Sequence, residues 1–297
     1  MPTSRSRSIW TSSSRRCGRS TTSSSRSCGC PDTDGQGIMT EILTDPARFD
    51  TSVDPANLRD LGGIDVPRGT VRTGVALRSD DLSSMSPAFA EKLLGQGLRS
   101  VIDLRSYAEV SQTGRGPLSA FDLTYHHVPL LDTAASPAHL ARRFGPMTPE
   151  QVGTWYVEVI ESAAPRLALC LNIIAMSDGA TAFHCSAGKD RTGILASLLL
   201  STVGAPAADI IRDYAVTESN LGAVGDRMRR VLGGGAADES DHGTSATNAL
   251  MGAVPDSMAT MLQLLDARYD SPLAPLYAAG LDTSTVARLR RRLLGTG

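Results

Sequence analysis

Apolar residues fall into short runs separated by longer stretches in which they recur every three or four positions. Val71 to Leu77, Ser100 to Leu104, Leu123 to Pro129 and Thr181 to His184 have the length and composition of strands. Helical periodicity occupies Ser86 to Leu94, Thr148 to Met176 and Arg191 to Val203, the last with Ile194, Leu195, Leu198, Leu199 and Leu200 on its apolar face. Strands alternating with helices predict an α/β fold with a central, mostly parallel sheet flanked by helices. The C-terminal third reads as helical over Ala207 to Glu218, Leu221 to Leu232, Pro255 to Tyr269 and Ser284 to Leu294. Between Gly233 and Thr247 a Gly-, Ser- and Asp-rich stretch predicts a flexible connector. The longest apolar runs, Leu167 to Met176 and Ile194 to Val203, are half of the ~20 residues a bilayer requires, so no integral membrane segment is expected.

Composition divides the chain. With 297 residues, 41% of them hydrophobic, it can bury one large core, and residues 39–297 are read as one catalytic domain. Residues 1–38 are crowded with Ser and Arg, hold Cys17, Cys28 and Cys30, and show no helical or strand period. They lack the apolar run of about 7–15 residues that a secretory signal needs. Two expectations stand for them: translation that starts at Met39, or a disordered tail. Their six Arg and two Asp leave a net charge of −6 on residues 39–297, which removes any electrostatic footprint for nucleic acid. Without the tail only Cys170 and Cys185 remain, which suits a reducing, cytoplasmic setting rather than a disulfide framework.

The chemistry concentrates in His184-Cys185-Ser186-Ala187-Gly188-Lys189-Asp190-Arg191-Thr192-Gly193. The residues between Cys185 and Arg191 join a strand end to a helix start, so the amides of Ser186, Ala187, Gly188 and Lys189 can form an anion nest. Arg191 would close that nest, because a guanidinium matches two phosphoryl oxygens at once. The positive end of a helix can bring a thiol from about 8.5 down to roughly 3.5–7.5, making Cys185 a nucleophile at neutral pH. A nucleotide-binding loop is excluded: Asp190 stands where Ser or Thr is required, and Phe183 where the first glycine belongs. No Cys or His lies at ligand spacing from His184 and Cys185, so no metal is expected, and the chemistry needs no cofactor. Cys170, Trp155 and Tyr156 read as core packing, and His126 and His127 as strand residues facing opposite ways.

These ten residues resemble the signature of the bacterial tyrosine-phosphatase-like family, also described as atypical dual-specificity or lipid-type tyrosine phosphatases. Two upstream motifs, Asn57-Leu58-Arg59-Asp60-Leu61-Gly62-Gly63 and Val101-Ile102-Asp103-Leu104-Arg105-Ser106, follow the family's order, so the resemblance runs from about residue 45 to the C-terminus. It implies a tyrosine-phosphatase-like fold and hydrolysis of phosphate monoesters through a phosphocysteine, on phosphorylated protein or phosphoinositide. A pseudophosphatase that binds phosphorylated partners without turnover is the alternative. Tyrosine phosphatases of the Trp-Pro-Asp type carry their acid upstream of the cysteine; here Val254-Pro255-Asp256 lies downstream. The resemblance therefore favours Asp190 as general acid and gives Lys189 a contact with substrate phosphates. It also makes the helices after the loop a candidate lid, against a plain surface loop.

Asp103 is the second candidate acid, because it ends a strand at the sheet edge that carries Cys185; the alternative is a structural carboxylate fixing Arg105. His184 is expected to orient the loop and Thr192 to hydrogen-bond the thiolate. Asn57, Arg59 and Asp60 are expected to tie the N-terminal segment to the sheet.

Overall fold

The computed structural model describes residues 53–131, 145–231 and 248–295, all within one compact unit that spans Gly35–Gly297. Among the described residues there are seven strands: β1 (Arg59–Asp60), β2 (Asp65–Val66), β3 (Gly69–Thr70), β4 (Ala76–Ser79), β5 (Leu98–Asp103), β6 (Thr124–His127) and β7 (Ala180–His184). The helices are α1 (Pro87–Gly95), α2 (Tyr107–Thr113), α3 (Pro149–Met176), α4 (Asp190–Thr202), α5 (Ala207–Val231), α6 (Pro255–Tyr269), α7 (Ala274–Ala278) and α8 (Thr283–Leu294). A 3-10 turn, Gly116–Ala120, follows α2.

The main sheet has the order β1-β4-β7-β5-β6, parallel throughout except for β1, while β2 and β3 form a separate hairpin. The fold is therefore α/β with a mostly parallel sheet flanked by helices, as the alternation of runs predicts. β7 lies at the centre and is buried on both faces, which is why it reads as an apolar run instead of an alternating one. Its neighbours sort by the two-residue period. Val101 and Ala182 pack with Leu77, Phe89 and Leu93 on the α1 face. Ile102 and Phe183 pack on the other face with residues of α3, α4, α6 and α8, such as Leu167, Leu195, Met261 and Leu289. Register sets Ser79, His184 and Asp103 side by side at the C-terminal edge of the parallel strands.

Several boundaries differ from the sequence reading. The first long strand covers Ala76–Ser79, not Val71 to Leu77. Val71 instead exchanges backbone hydrogen bonds with Gly63 and Ile64 around the β2–β3 hairpin. The helices read as Ala207 to Glu218 and Leu221 to Leu232 are one helix, α5, running through Gly222 and Gly225. Tertiary anchors on its second half outweigh the roughly 1 kcal/mol that each glycine costs a helix: Asn220 donates to Asn57 Oδ1 at 3.1 Å, and buried Arg227 pairs with Asp80.

The helical C-terminal third is present, and α6 and α8 line the core, with Met258, Met261, Leu265, Leu289 and Leu293 buried. The predicted connector, Gly233 to Thr247, lies outside the described residues, as does the segment 1–38. By length and composition α3 could cross a membrane, but it buries Tyr156, Ile160, Leu167, Leu171 and Ile174 in the core.

Candidate active site

The loop after β7 is held from the outside by its carbonyls. Leu104 N donates to the His184 carbonyl at 2.8 Å, and Asp81 N to the Ser186 carbonyl at 3.0 Å. Asn57 Nδ2 donates to the Ala187 carbonyl at 3.0 Å, and Arg78 Nη2 to the Gly188 carbonyl at 2.8 Å. In a trans peptide the N–H points opposite to the C=O, so the amides of Cys185, Ala187, Gly188 and Lys189 turn toward the loop's interior. Cys185 lies at the start of this turn and is buried. Gly188 has φ +69, and a Cβ there would come within 2.6 Å of the Asp80 amide and the Ser79 carbonyl. Only glycine fits, for both reasons.

The upstream motif is part of this scaffold and not of the chemistry. Arg59 donates from Nε to Asp213 at 2.8 Å, and Asp60 accepts the amides of Gly62 and Gly74 at 2.7 and 2.6 Å. Asp213, in α5, also pairs with Arg78, so Asn57, Arg59, Arg78 and Asp213 brace one flank of the loop.

Arg191 meets a partner that sequence reasoning missed. Glu109 in α2 takes it bidentately, with Nη1 at 2.7 Å from Oε2 and Nη2 at 2.9 Å from Oε1, and also accepts the Ser186 hydroxyl. Burial would raise the Glu109 carboxyl, but hydrogen bonds and charge from Arg191 outweigh it and bring it to about 2. The same oxygen Oε2 accepts Ser106 N at 2.7 Å in a capping box that starts α2. That box was the available signal: Ser106-Tyr107-Ala108-Glu109 has the S-x-x-E spacing of a helix start.

Asp190, the first residue of α4, is nearly buried. Its Oδ1 accepts the Tyr156 hydroxyl at 2.6 Å and lies 3.3 Å from Lys189 Nζ. Tyr156 is therefore more than the core packing that its helical spacing suggested. Lys189 is also placed differently from the expectation that it meets substrate phosphate. Its side chain is 1% exposed, and its ammonium donates to the carbonyls of Leu250 and, at 3.2 Å, Gly252. It fastens the segment before α6 to the loop.

Asp103 converges on the same sheet edge, as topology predicted, but its contacts are those of a structural group. Arg105 donates to it from Nε at 3.0 Å and Nη2 at 2.6 Å, and the Tyr125 hydroxyl donates at 2.6 Å. Burial opposes its charge, yet His184, Arg105 and Tyr125 together hold the carboxyl well below the usual carboxylate range. These contacts match the other alternative left open for Asp103, a structural carboxylate fixing Arg105.

His184 is buried, with Nδ1 3.3 Å from the Cys185 carbonyl, and desolvation lowers its proton affinity. The Thr192 hydroxyl is buried and has no hydrogen-bond partner among the described residues, so no contact with the Cys185 sulfur is made in this state. Cys170 is buried in the core with its thiol pushed up to about 12 by desolvation. No group of three or more His, Cys, Asp or Glu able to hold a metal ion occurs among the described residues.

Residues 53–295 match the family model described as the tyrosine phosphatase family. A tyrosine-protein phosphatase from Nostoc commune is 30% identical over 222 residues, which is 73% of this chain and 73% of that protein. The triple specificity protein phosphatase PtpB of Mycobacterium tuberculosis is 25% identical over 256 residues, covering 76% of this chain and 92% of the relative.

Proposed function

This chain belongs to the tyrosine phosphatase family, and from its loop we propose that it hydrolyses phosphate monoesters through a phosphocysteine intermediate. Cys185 Sγ attacks phosphorus as a thiolate, forming the S–P bond while the P–O ester bond breaks. The equatorial oxygens lie against the inward amides and Arg191, where their charge is stabilised by donors already in position. Glu109 keeps the Arg191 fork in a fixed plane. Asp190 gives its proton to the departing oxygen; its carboxylate then takes a proton from water as that water attacks phosphorus, breaking the S–P bond and returning the thiolate. The unpartnered Thr192 hydroxyl is available to that thiolate as it leaves.

The observation that carries this reading is the set of loop carbonyls held from outside by Leu104, Asp81, Asn57 and Arg78, which turns the amides inward around Cys185. Phosphotyrosine is the substrate favoured by the name of the Nostoc relative, and the mycobacterial one is named as a protein phosphatase of triple specificity; phosphoserine, phosphothreonine and phosphoinositides are further candidates because the loop is suited to any phosphate monoester. The test is Cys185→Ser. Turnover of phenyl phosphate should fall below about 1% of wild type, since an alcohol in this setting is a weak nucleophile, while binding of a phosphotyrosine peptide persists. Residual turnover above that level would exclude the covalent route.

A further inference from the structure

Tyr156 stands in an apolar stretch of α3, fully buried, with Tyr214 of α5 behind it. The two phenol oxygens are 2.8 Å apart, and the Tyr156 oxygen is 2.6 Å from Asp190 Oδ1. Desolvation first, and then the Asp190 charge, hold both phenols well above the ordinary tyrosine range, so each keeps its proton. The hydrogen bonds therefore run in one direction, from Tyr214 to Tyr156 and from Tyr156 to Asp190. Lys189 Nζ approaches the same oxygen, Oδ1. Among the described residues no donor reaches Oδ2.

An independent feature supports the arrangement. Gly193 ends the loop signature inside α4, a position where glycine costs helix stability. A Cβ on Gly193 would lie 3.0 Å from Tyr214 Cδ2 and 3.4 Å from Cε2. The missing side chain lets the Tyr214 ring seat against α4 and present its hydroxyl to Tyr156.

We propose that Tyr156 is a positioning residue for the general acid: by occupying Oδ1 it assigns the transferable proton of Asp190 to Oδ2, with Tyr214 holding Tyr156 in place. This rests on Asp190 being the acid. A carboxyl whose one oxygen already accepts donors carries its proton on the other, so the acid is presented with a single orientation and does not divide between two. The other charged groups around Asp190 are Lys189 and Arg191, the latter also coupled to Cys185, with Arg78 and Glu218 on the far side of Tyr214.

The experiment is the rate–pH profile of Tyr156→Phe with phenyl phosphate, a poor leaving group, and p-nitrophenyl phosphate, a good one. Loss of a hydrogen bond that favours the ionised carboxyl should move the alkaline limb up by about one pH unit. Turnover of phenyl phosphate should fall about tenfold, and that of p-nitrophenyl phosphate less than about threefold, because only the former depends on a well-aimed proton. Equal losses on both substrates with the limb unmoved would reduce Tyr156 to packing and overturn the inference, as would an unaltered phenyl phosphate rate.

Asp190→Asn run alongside separates the two failures. If it removes the limb and Tyr156→Phe does not move it, this inference alone falls; if it leaves the limb in place, the assignment of Asp190 falls first. Should Tyr156→Phe fail to fold, Tyr214→Phe withdraws the supporting phenol and should shift the limb in the same direction by less. An unshifted limb there contradicts the relay.

Discussion

Asp103 and Asp190 reach the same edge of the sheet, one at the end of β5 and one at the start of α4, and both are buried. Around Asp103 the neighbours are an arginine in bidentate contact, a phenol and an imidazole, and Arg105 also reaches Asp81 at 2.9 Å. Around Asp190 the nearest donor is a neutral phenol, and the one ammonium within 3.3 Å shares its protons with two backbone carbonyls. A carboxyl locked to a guanidinium is fixed in a full ion pair, whereas one held by a neutral phenol is oriented at one oxygen and leaves the other open. A place at the sheet edge that carries the loop is common to both. In the mechanism proposed above, the partner decides which of them serves as the acid.

Breaking the Asp103 side should cost the most stability. Asp103→Asn leaves Arg105 buried with only part of its pairing, and denaturant unfolding should show a loss of about 3 kcal/mol, the scale for removing one member of a buried pair. The pH dependence gives the sign. A carboxyl whose folded-state value is depressed stabilises the protein above the ordinary carboxylate value near ~3.9 and loses that contribution as pH falls below it. The gap between wild type and Asp103→Asn should therefore be full at pH 6 to 7 and narrow below about pH 4. A gap that stays constant down to pH 2 would show that Asp103 contributes through shape and not through charge.

A smaller effect is expected on the Asp190 side from Lys189→Met. The carbonyls of Leu250 and Gly252 lose their donor, at about 1–2 kcal/mol, and limited proteolysis should first cut the segment that precedes α6. Unchanged melting and cleavage with a raised KM for phosphorylated substrate would instead return Lys189 to the role that the family resemblance gave it.

The catalytic loop was legible in the sequence because its parts are contiguous: nucleophile, nest, acid and arginine all lie within residues 185 to 191. Its supports were not, because they come from far along the chain. Asn57 and Ala187 are 130 residues apart, and Glu109 and Arg191 are 82 apart. Periodicity placed Tyr156 on the buried face of its helix and could say nothing of what its hydroxyl meets. The same limit explains α5. Ser219 and Asn220 separated two predicted helices, but Asn220 and Arg227 are anchored to Asn57 and Asp80 in one continuous helix. The early strand shifted because Val71 pairs backward to Ile64 around a two-residue-strand hairpin, too short to leave a period in the sequence.

The central claim is that Asp190, not Asp103, supplies the proton. The most direct test is the rate–pH profile of Asp190→Asn and Asp103→Asn on phenyl phosphate, measured under conditions where both variants are folded. Asp190→Asn should erase the alkaline limb and lower the rate at the wild-type optimum about 10²–10³-fold, the range expected for a lost general acid. Asp103→Asn should keep the limb at its wild-type position. If Asp103→Asn removes the limb while Asp190→Asn retains it, the assignment is reversed, and the ion pair with Arg105 is no barrier to proton transfer.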